Sequence, residues 1–331
     1  MSAPRVAFVT DAGGEAGLGH FKRCAALARA LGARGCAVDA LVSGPRDAGL
    51  AAVAPGLAVT PLDWWGAPGR VLEAVAGRGV EAFVVDSYHT DEALLATLRR
   101  AALVVAIDDL ADRPLPVDAV VNGAWHAERL VYRVETATRR LLGPRYALLD
   151  RAFAEAPARV IAERVGRVLV TLGGATPAAE TALAVAAVRA ALPAARLDVL
   201  GGLVPAGAAA APGVTRHGAV PSLRPLLLAA DLAVTAGGMT LYECLATGTP
   251  AVAVGLADNQ RPNLEHLGAA GLVVTADFAT LTPAVARVAA DRALRERLGA
   301  AGRGAIDGGG ADRVADELAR LLAARTPARS A

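Results

Sequence analysis

A histidine follows a glycine-rich loop early in the chain, in the run Thr10-Asp11-Ala12-Gly13-Gly14-Glu15-Ala16-Gly17-Leu18-Gly19-His20-Phe21-Lys22-Arg23. Gly17 and Gly19 allow close approach of backbone to a ligand, and the start of the apolar helix that follows offers unpaired amides and a positive dipole end, so the loop suits an anion. At that helix start the dipole favours an imidazole on His20 that accepts a proton. The competing reading is a histidine that only caps the loop. Lys22 and Arg23 are either substrate contacts or surface charges on a first helical turn. Gly17-Leu18-Gly19 also opens a dinucleotide fingerprint, with Asp39 at the distance of a ribose-binding acid. Lys22 takes the place of the third glycine, however, and Asp39 falls inside a strand, which argues against a nicotinamide cofactor.

A second loop reads Val85-Asp86-Ser87-Tyr88-His89-Thr90-Asp91. Asp86 is expected to end a strand, with Thr90 or Asp91 capping the next helix. Tyr88 orients a sugar or belongs to the capping turn. Asp108-Asp109 resembles a metal-binding pair, but no third ligand stands at a suitable spacing, so no metal is expected and Asp108 is read as a ligand-facing polar group or a structural acceptor.

In the second half, Gly173-Gly174-Ala175-Thr176-Pro177 forms another strand-to-helix turn able to hold phosphate oxygens. No G-K-[ST] follows, which excludes a P-loop NTPase. Thr235-Ala236-Gly237-Gly238-Met239-Thr240-Leu241-Tyr242-Glu243 places two glycines at a strand end and a glutamate one helical turn later. Ribose hydroxyls would satisfy that carboxylate, and a diphosphate would sit on the amides. Asn259 and Gln260, after a further strand, bind ligand or cap a helix.

These loops need strands to carry them. Short β-branched runs alternate with alanine- and leucine-rich stretches, the pattern of parallel sheets with crossover helices, so the class is α/β. Strands are expected at 5–10, 36–42, 57–62, 82–86, 103–108 and 119–122, with helices at 20–31, 70–76 and 91–100. The alternation restarts with strands at 168–172, 196–200, 214–217, 232–235, 251–254 and 272–274. Two Rossmann-like doubly wound domains facing a cleft follow, with ligands beyond the carboxyl ends of the strands. We place the first at residues 1–155, on the sugar and acceptor side, and the second, nucleotide-binding, at 165–310. The segment 151–164 is the linker. Gly308-Gly309-Gly310 is read as a hinge or turn, 311–325 as a helix packing back on the first domain, and 325–331 as a frayed tail.

At 331 residues, with 54% hydrophobic and 20% charged side chains, the chain is long enough for two packed cores and too apolar for wholesale disorder. Mean hydropathy is +0.41, yet every long apolar stretch is broken before the ~18 residues a membrane span needs. The start of the chain lacks the features of a signal peptide, so a cytoplasmic protein without a transmembrane segment is expected. A net charge of +2, from 34 basic and 32 acidic residues, supplies no field to recruit nucleic acid. Cys24, Cys36 and Cys244 form no C-x-x-C pair and are read as buried thiols within regular elements. Trp64-Trp65 is read as loop packing rather than a membrane anchor.

Taken in order, the blocks 16–23, 85–88, 107–114, 142–149, 171–174, 236–240 with Glu243, and 257–260 resemble the PseG and SpsG family, the metal-independent UDP-sugar hydrolases of pseudaminic acid biosynthesis and the related spore-coat polysaccharide proteins. They also match the glycosyltransferase-B architecture. The resemblance implies UDP in the second domain, with Glu243 on the ribose and Gly237-Gly238 on the diphosphate, helped by Gly173, Gly174, Met239, Thr240, Asn259 and Gln260. It implies that His20 is the active-site histidine and that Tyr88 lies in the sugar pocket with Gly17, Gly19, Lys22, Arg23, Asp86 and His89. Asp11 is a second candidate for orienting His20 or a sugar hydroxyl. Water would attack the anomeric carbon of an amino or deoxy sugar and release UDP, with no cofactor. A hydroxyl or amine acceptor in place of water would make the protein a glycosyltransferase. His89 stands where glycine was expected and Met239 where a small hydroxyl residue is common, and both bear on which sugar is accepted.

Overall fold

The computed structural model describes residues 3–13, 17–44, 49–174, 176–201 and 212–325. The chain divides into two compact units, 1–151 with 309–331, and 152–308. Gly14, Glu15, Ala16 and Ala175 of the loops above, and 326–331 of the expected tail, lie outside the described residues.

The first unit contains β1 (Arg5–Asp11), α1 (Gly19–Gly32), β2 (Ala37–Ser43), α2 (Gly49–Val53), β3 (Val59–Pro61), α3 (Pro68–Ala74), β4 (Val80–Asp86), α4 (Glu92–Ala101), β5 (Leu103–Ile107), β6 (Ala119–Asn122) and β7 (Arg139–Leu142). All strands pair in parallel, in the order β3-β2-β1-β4-β5-β6-β7. Strand alternation builds a core on each face. Val6 and Phe8 pack with α1, while Ala7 and Val9 face Trp64, Val71 and Leu95 on the other side. Because both faces are covered, Val6–Val9 of β1 and Ala82–Val85 of β4 are continuous apolar runs, and both strands end in aspartate.

The second unit contains β8 (Arg167–Thr171), α5 (Ala178–Ala191), β9 (Arg196–Leu200), β10 (Val214–His217), α6 (Arg224–Ala229), β11 (Leu232–Ala236), α7 (Met239–Thr247), β12 (Ala251–Val254), α8 (Arg261–Ala269), β13 (Val274–Ala276), α9 (Leu281–Ala290) and α10 (Arg292–Ala305). Its sheet order, β10-β9-β8-β11-β12-β13, repeats the first unit's arrangement without its last strand. In each unit the order reverses once, between β1 and β4 and between β8 and β11. Those switch points are where such sheets bind ligands.

The chain then returns to the first unit as α11 (Gly310–Arg325). Val314, Ala315, Leu318 and Leu322 enter the core beside Leu27 and Leu31 of α1, and Arg34 pairs with Asp312 and Asp316 at 2.8 and 2.7 Å. Gly310 is the tightest contact of this return. A Cβ there would lie 2.2 Å from the carbonyl oxygen of Ala147, a backbone atom that cannot swing aside. Gly310→Ala is therefore expected to cost about 1–3 kcal/mol, from overpacking. Gly304→Ala, where a Cβ meets nothing within 4 Å, should be neutral or slightly stabilising because alanine favours the helix. Thermal unfolding of the two variants checks both.

Several element boundaries differ from the sequence expectation for local reasons. β7 was not anticipated, since Arg139-Arg140-Leu141-Leu142 lacks a β-branched run. It is an edge strand whose two arginines are exposed. β3 is shorter than expected, pairing over Val59–Pro61, and as an edge strand it tolerates a proline without an amide hydrogen, the next amide, Leu62, still donating to the Val42 carbonyl at 2.9 Å. β5 ends at Ile107, where the Asp108 carboxylate turns the chain by accepting from the Leu110 and Ala111 amides at 3.1 and 2.8 Å. β13 is displaced to Val274–Ala276. Cys36 precedes β2 and is partly exposed, whereas Cys24 and Cys244 are buried in helices.

Candidate active site

The parallel pairing of β1 with β4 sets Thr10 opposite Asp86, so the loop after β1 and the loop after β4 meet at the first unit's switch point. α1 begins there without a side-chain cap, and His20 is its second residue. His20 Nδ1 lies 2.6 Å from Asp86 Oδ1. Arg23, one helical turn further on, grips the same carboxylate with a two-pronged contact, Nε to Oδ2 at 2.6 Å and Nη2 to Oδ1 at 2.7 Å. Its Nη1 reaches Asp109 at 2.7 and 3.0 Å.

Asp86 is wholly buried. Burial alone would raise its pKa, but the charges and hydrogen bonds of Arg23 and His20 overcome that and hold it at about 2. An ionised carboxylate only accepts, so His20 Nδ1 carries the proton toward Asp86. The nearby Arg23 Nη2, 3.2 Å from Nδ1, is itself a donor and is not its partner. In the neutral imidazole this selects the tautomer with its lone pair on Nε2, the arrangement of an oriented general base. Cys24 adds a sulfhydryl contact to Asp86 Oδ2 at 3.6 Å, and burial followed by the Asp86 charge pushes its thiol pKa well up. Cys24 is therefore a packing group here, not a thiolate.

Aromatic side chains surround the pair. Tyr88 sets its ring edge-on to His20, with centroids 4.6 Å apart and planes at 84°, and its hydroxyl lies 3.4 Å from Asp109. His89 stacks on Trp65 at 3.9 Å. Asp91 caps α4 by accepting from Leu94.

Three expectations change. Asp11 does not orient His20: its Oδ1 accepts from Trp65 Nε1 at 2.8 Å and its Oδ2 from Ser87 Oγ, and burial raises its pKa against those bonds. Asp86 takes the orienting role instead of meeting a sugar, because both its oxygens are used below the surface. Arg23 is neither a surface charge nor a sugar contact, being buried between two carboxylates. Lys22 remains partly exposed. Trp64 is buried with its Nε1 toward the Thr10 carbonyl at 3.4 Å, leaving Trp65 alone as the exposed ring of that pair.

The second unit's switch point brings Gly173-Gly174 and Gly237-Gly238 to the ends of β8 and β11. Gly238 is exposed and precedes α7, whose N-terminus has no side-chain cap. Met239 and Thr240 open that helix, and Glu243 follows one turn later, partly exposed. Gly237 behaves differently from expectation. Its amide donates to Gln260 Oε1 at 3.2 Å, and its carbonyl accepts from Asn263 Nδ2 at 2.9 Å. Gln260 Oε1 also accepts from the Leu256 amide at 3.3 Å, so the Gln260 side-chain oxygen ties two strand-end loops together. Tyr242 donates to Asn263 Oδ1 at 2.7 Å and completes the brace. Neither Asn263 nor Tyr242 was singled out in the sequence; Tyr242 stands one helical turn after Gly238 and Asn263 one turn after Gln260, spacings that resemble ordinary core positions. Asn259 is exposed in the 3-10 turn Asp258–Gln260.

Among the described residues, no group of three or more His, Cys, Asp or Glu is placed to hold a metal ion, and no helix is long and apolar enough to cross a membrane.

Two parallel α/β units with this strand order define the glycosyltransferase-B class of fold. The glycotransferase of kitacinnamycin shares it at a TM-score of 0.66 and 23% identity, over 97% of this chain and 99% of that one. MnaA of S. aureus, in a co-structure with UDP, shares it at 0.67 and 12% identity, over 99% of both. In sequence, the chain is 24% identical to the spore coat polysaccharide biosynthesis protein SpsG of Bacillus subtilis (strain 168), over 93% of this chain and 96% of the relative. The resemblance carried by the seven motifs thus extends along nearly the whole chain. No protein-family model matches it.

Proposed function

We propose that the protein hydrolyses a UDP-linked amino or deoxy sugar at the C1–O bond, releasing UDP and the free sugar. The observation that carries this reading is the His20–Asp86 pair at a ligand-binding switch point, with a fixed tautomer and a free Nε2 lone pair. In the step we propose, the oxygen of a water attacks C1 while its proton passes to His20 Nε2. The C1–O bond breaks, its electron pair leaves on the UDP oxygen, and the imidazolium formed is stabilised by Asp86 before returning its proton to solvent. General-base help of this kind contributes ~10²–10⁴ in rate, the rest coming from positioning and from stabilising the departing diphosphate.

For the nucleotide we assign the second unit. The uncapped start of α7, with the amides of Gly238, Met239 and Thr240, suits a diphosphate, and Glu243 suits the ribose. Gly173, Gly174 and Asn259 border the same strand ends. The resemblance to SpsG and the UDP bound by a protein of the same fold support this assignment.

The same fold serves glycosyltransferases, so the test separates water from another acceptor. UDP release is measured from a panel of UDP-linked acetamido- and diacetamido-deoxyhexoses, in chelator, first in buffer alone and then with hydroxyl or amine acceptors. Release in buffer alone is the expected result. UDP that binds but is released only when an acceptor is added would replace hydrolysis with transfer.

A further inference from the structure

Trp65 lies between β3 and α3, outside every motif that suggested a nucleotide-sugar site, and is 42% exposed. Its polar edge is nonetheless fully committed. The indole Nε1–H donates to Asp11 Oδ1 at 2.8 Å, Ser87 Oγ donates to the other oxygen of Asp11, and the His89 amide donates to Ser87 Oγ at 2.9 Å. One chain of hydrogen bonds therefore locks the loops after β1, β3 and β4 together. On top of it the Trp65 ring stacks with His89 at 3.9 Å, planes 28° apart. What the assembly offers outward from Trp65 is rigid aromatic surface. It is continuous with the base: Tyr88 packs against His20, and the next residue, His89, packs against Trp65.

A ring held in place by its own polar edge loses little entropy when a ligand covers it, and its exposed surface favours C–H groups over hydroxyls. A sugar hydroxyl pressed against it would lose water without gaining a partner. Resting on the hydrolase reading above, we infer that Trp65, braced by His89 and Asp11, receives a carbon–hydrogen face of the glycosyl group and sets which sugars are accepted. The occupant is the sugar ring, through an edge that carries a methyl or methylene in place of a hydroxyl.

Dissociation constants of UDP, UDP-N-acetylglucosamine and its 6-deoxy counterpart are measured by calorimetry for the unmodified chain, Trp65→Phe and Trp65→Ala. The 6-deoxy nucleotide should bind the unmodified chain about tenfold more tightly than the 6-hydroxy one, the size of discrimination one such group provides in an apolar pocket. Trp65→Phe should keep most of that preference. Trp65→Ala should abolish it while leaving UDP affinity unchanged. A preference that survives in Trp65→Ala, or is absent from the unmodified chain although both sugar nucleotides bind, overturns the inference. Failure of the unmodified chain to bind UDP in the first titration overturns the nucleotide-sugar reading itself. Should Trp65→Ala not fold, Trp65→Leu, which keeps apolar volume without an aromatic face, gives the same comparison.

Discussion

His20→Gln is expected to bind UDP as tightly as the unmodified chain and to release UDP from its sugar nucleotide 10²–10⁴-fold more slowly. Glutamine fills much of the imidazole's space and its amide still donates to Asp86, but it cannot take a proton from water. The loss should therefore fall on kcat, with KM changed little. Asp86→Asn tests the same pair from below. An asparagine lacks the charge that fixes the His20 tautomer and stabilises the imidazolium, so kcat should fall although His20 is intact. Single-turnover UDP release and calorimetric UDP binding on the same preparations check both statements. Turnover by His20→Gln within threefold of the unmodified chain would remove the imidazole from the mechanism.

Arg23→Met should have the largest effect on stability. It removes the guanidinium from a site where Asp86 is wholly buried and Asp109 partly so. Breaking one side of a buried ion pair typically costs 3–5 kcal/mol, because the remaining charge keeps its desolvation penalty. The pH dependence has a definite sign. Asp86 is depressed from the ordinary carboxylate value to about 2, so it contributes about 2 kcal/mol that is present above roughly pH 4 and lost as pH falls toward 2. Without Arg23 the largest influence opposing burial is gone, and the Asp86 carboxyl is easier to protonate in the folded state. The deficit of Arg23→Met should thus be widest near neutral pH and shrink on acidification, as read from denaturant or thermal unfolding at pH 7 and pH 3. Arg23→Lys, which keeps charge but not the two-pronged grip, should fall between. A deficit independent of pH would show that Arg23 acts through packing alone.

What could be read without the structure divides along a physical line. Strand-to-loop transitions after β1, β4, β8 and β11 were legible because buried parallel strands are short apolar runs and the turns after them need glycine or aspartate. His20 was legible for the same reason. Its partner was not. Asp86 stands 66 positions away, and only the order of strands decides which aspartate at a strand end lies beneath the helix start. Asp11, nearer in sequence, was the natural candidate, yet the β1–β4 pairing gives it to Ser87 and Trp65. Arg23 was read as a sugar contact or a surface charge because it stands in the first turn of a helix that follows a ligand loop, and nothing local announces a buried carboxylate on each side of it. In the second unit, Gln260 and Gly237 were both visible as motif residues, but their bond to each other depends on β11 and β12 being neighbours. Long-range adjacency, not composition, was the missing information.

The division of the first unit into residues 1–151 and 309–331, with the second unit as one uninterrupted segment, governs how the protein can be made. During synthesis the seven strands of the first unit emerge early, yet the α1 face that α11 covers stays open until Gly310–Arg325, which follow the whole second unit, have been made. The second unit, translated later, has all of its chain available sooner. Loss of α11 would therefore injure the unit that carries His20, far upstream in sequence, and leave the chain of the second unit intact.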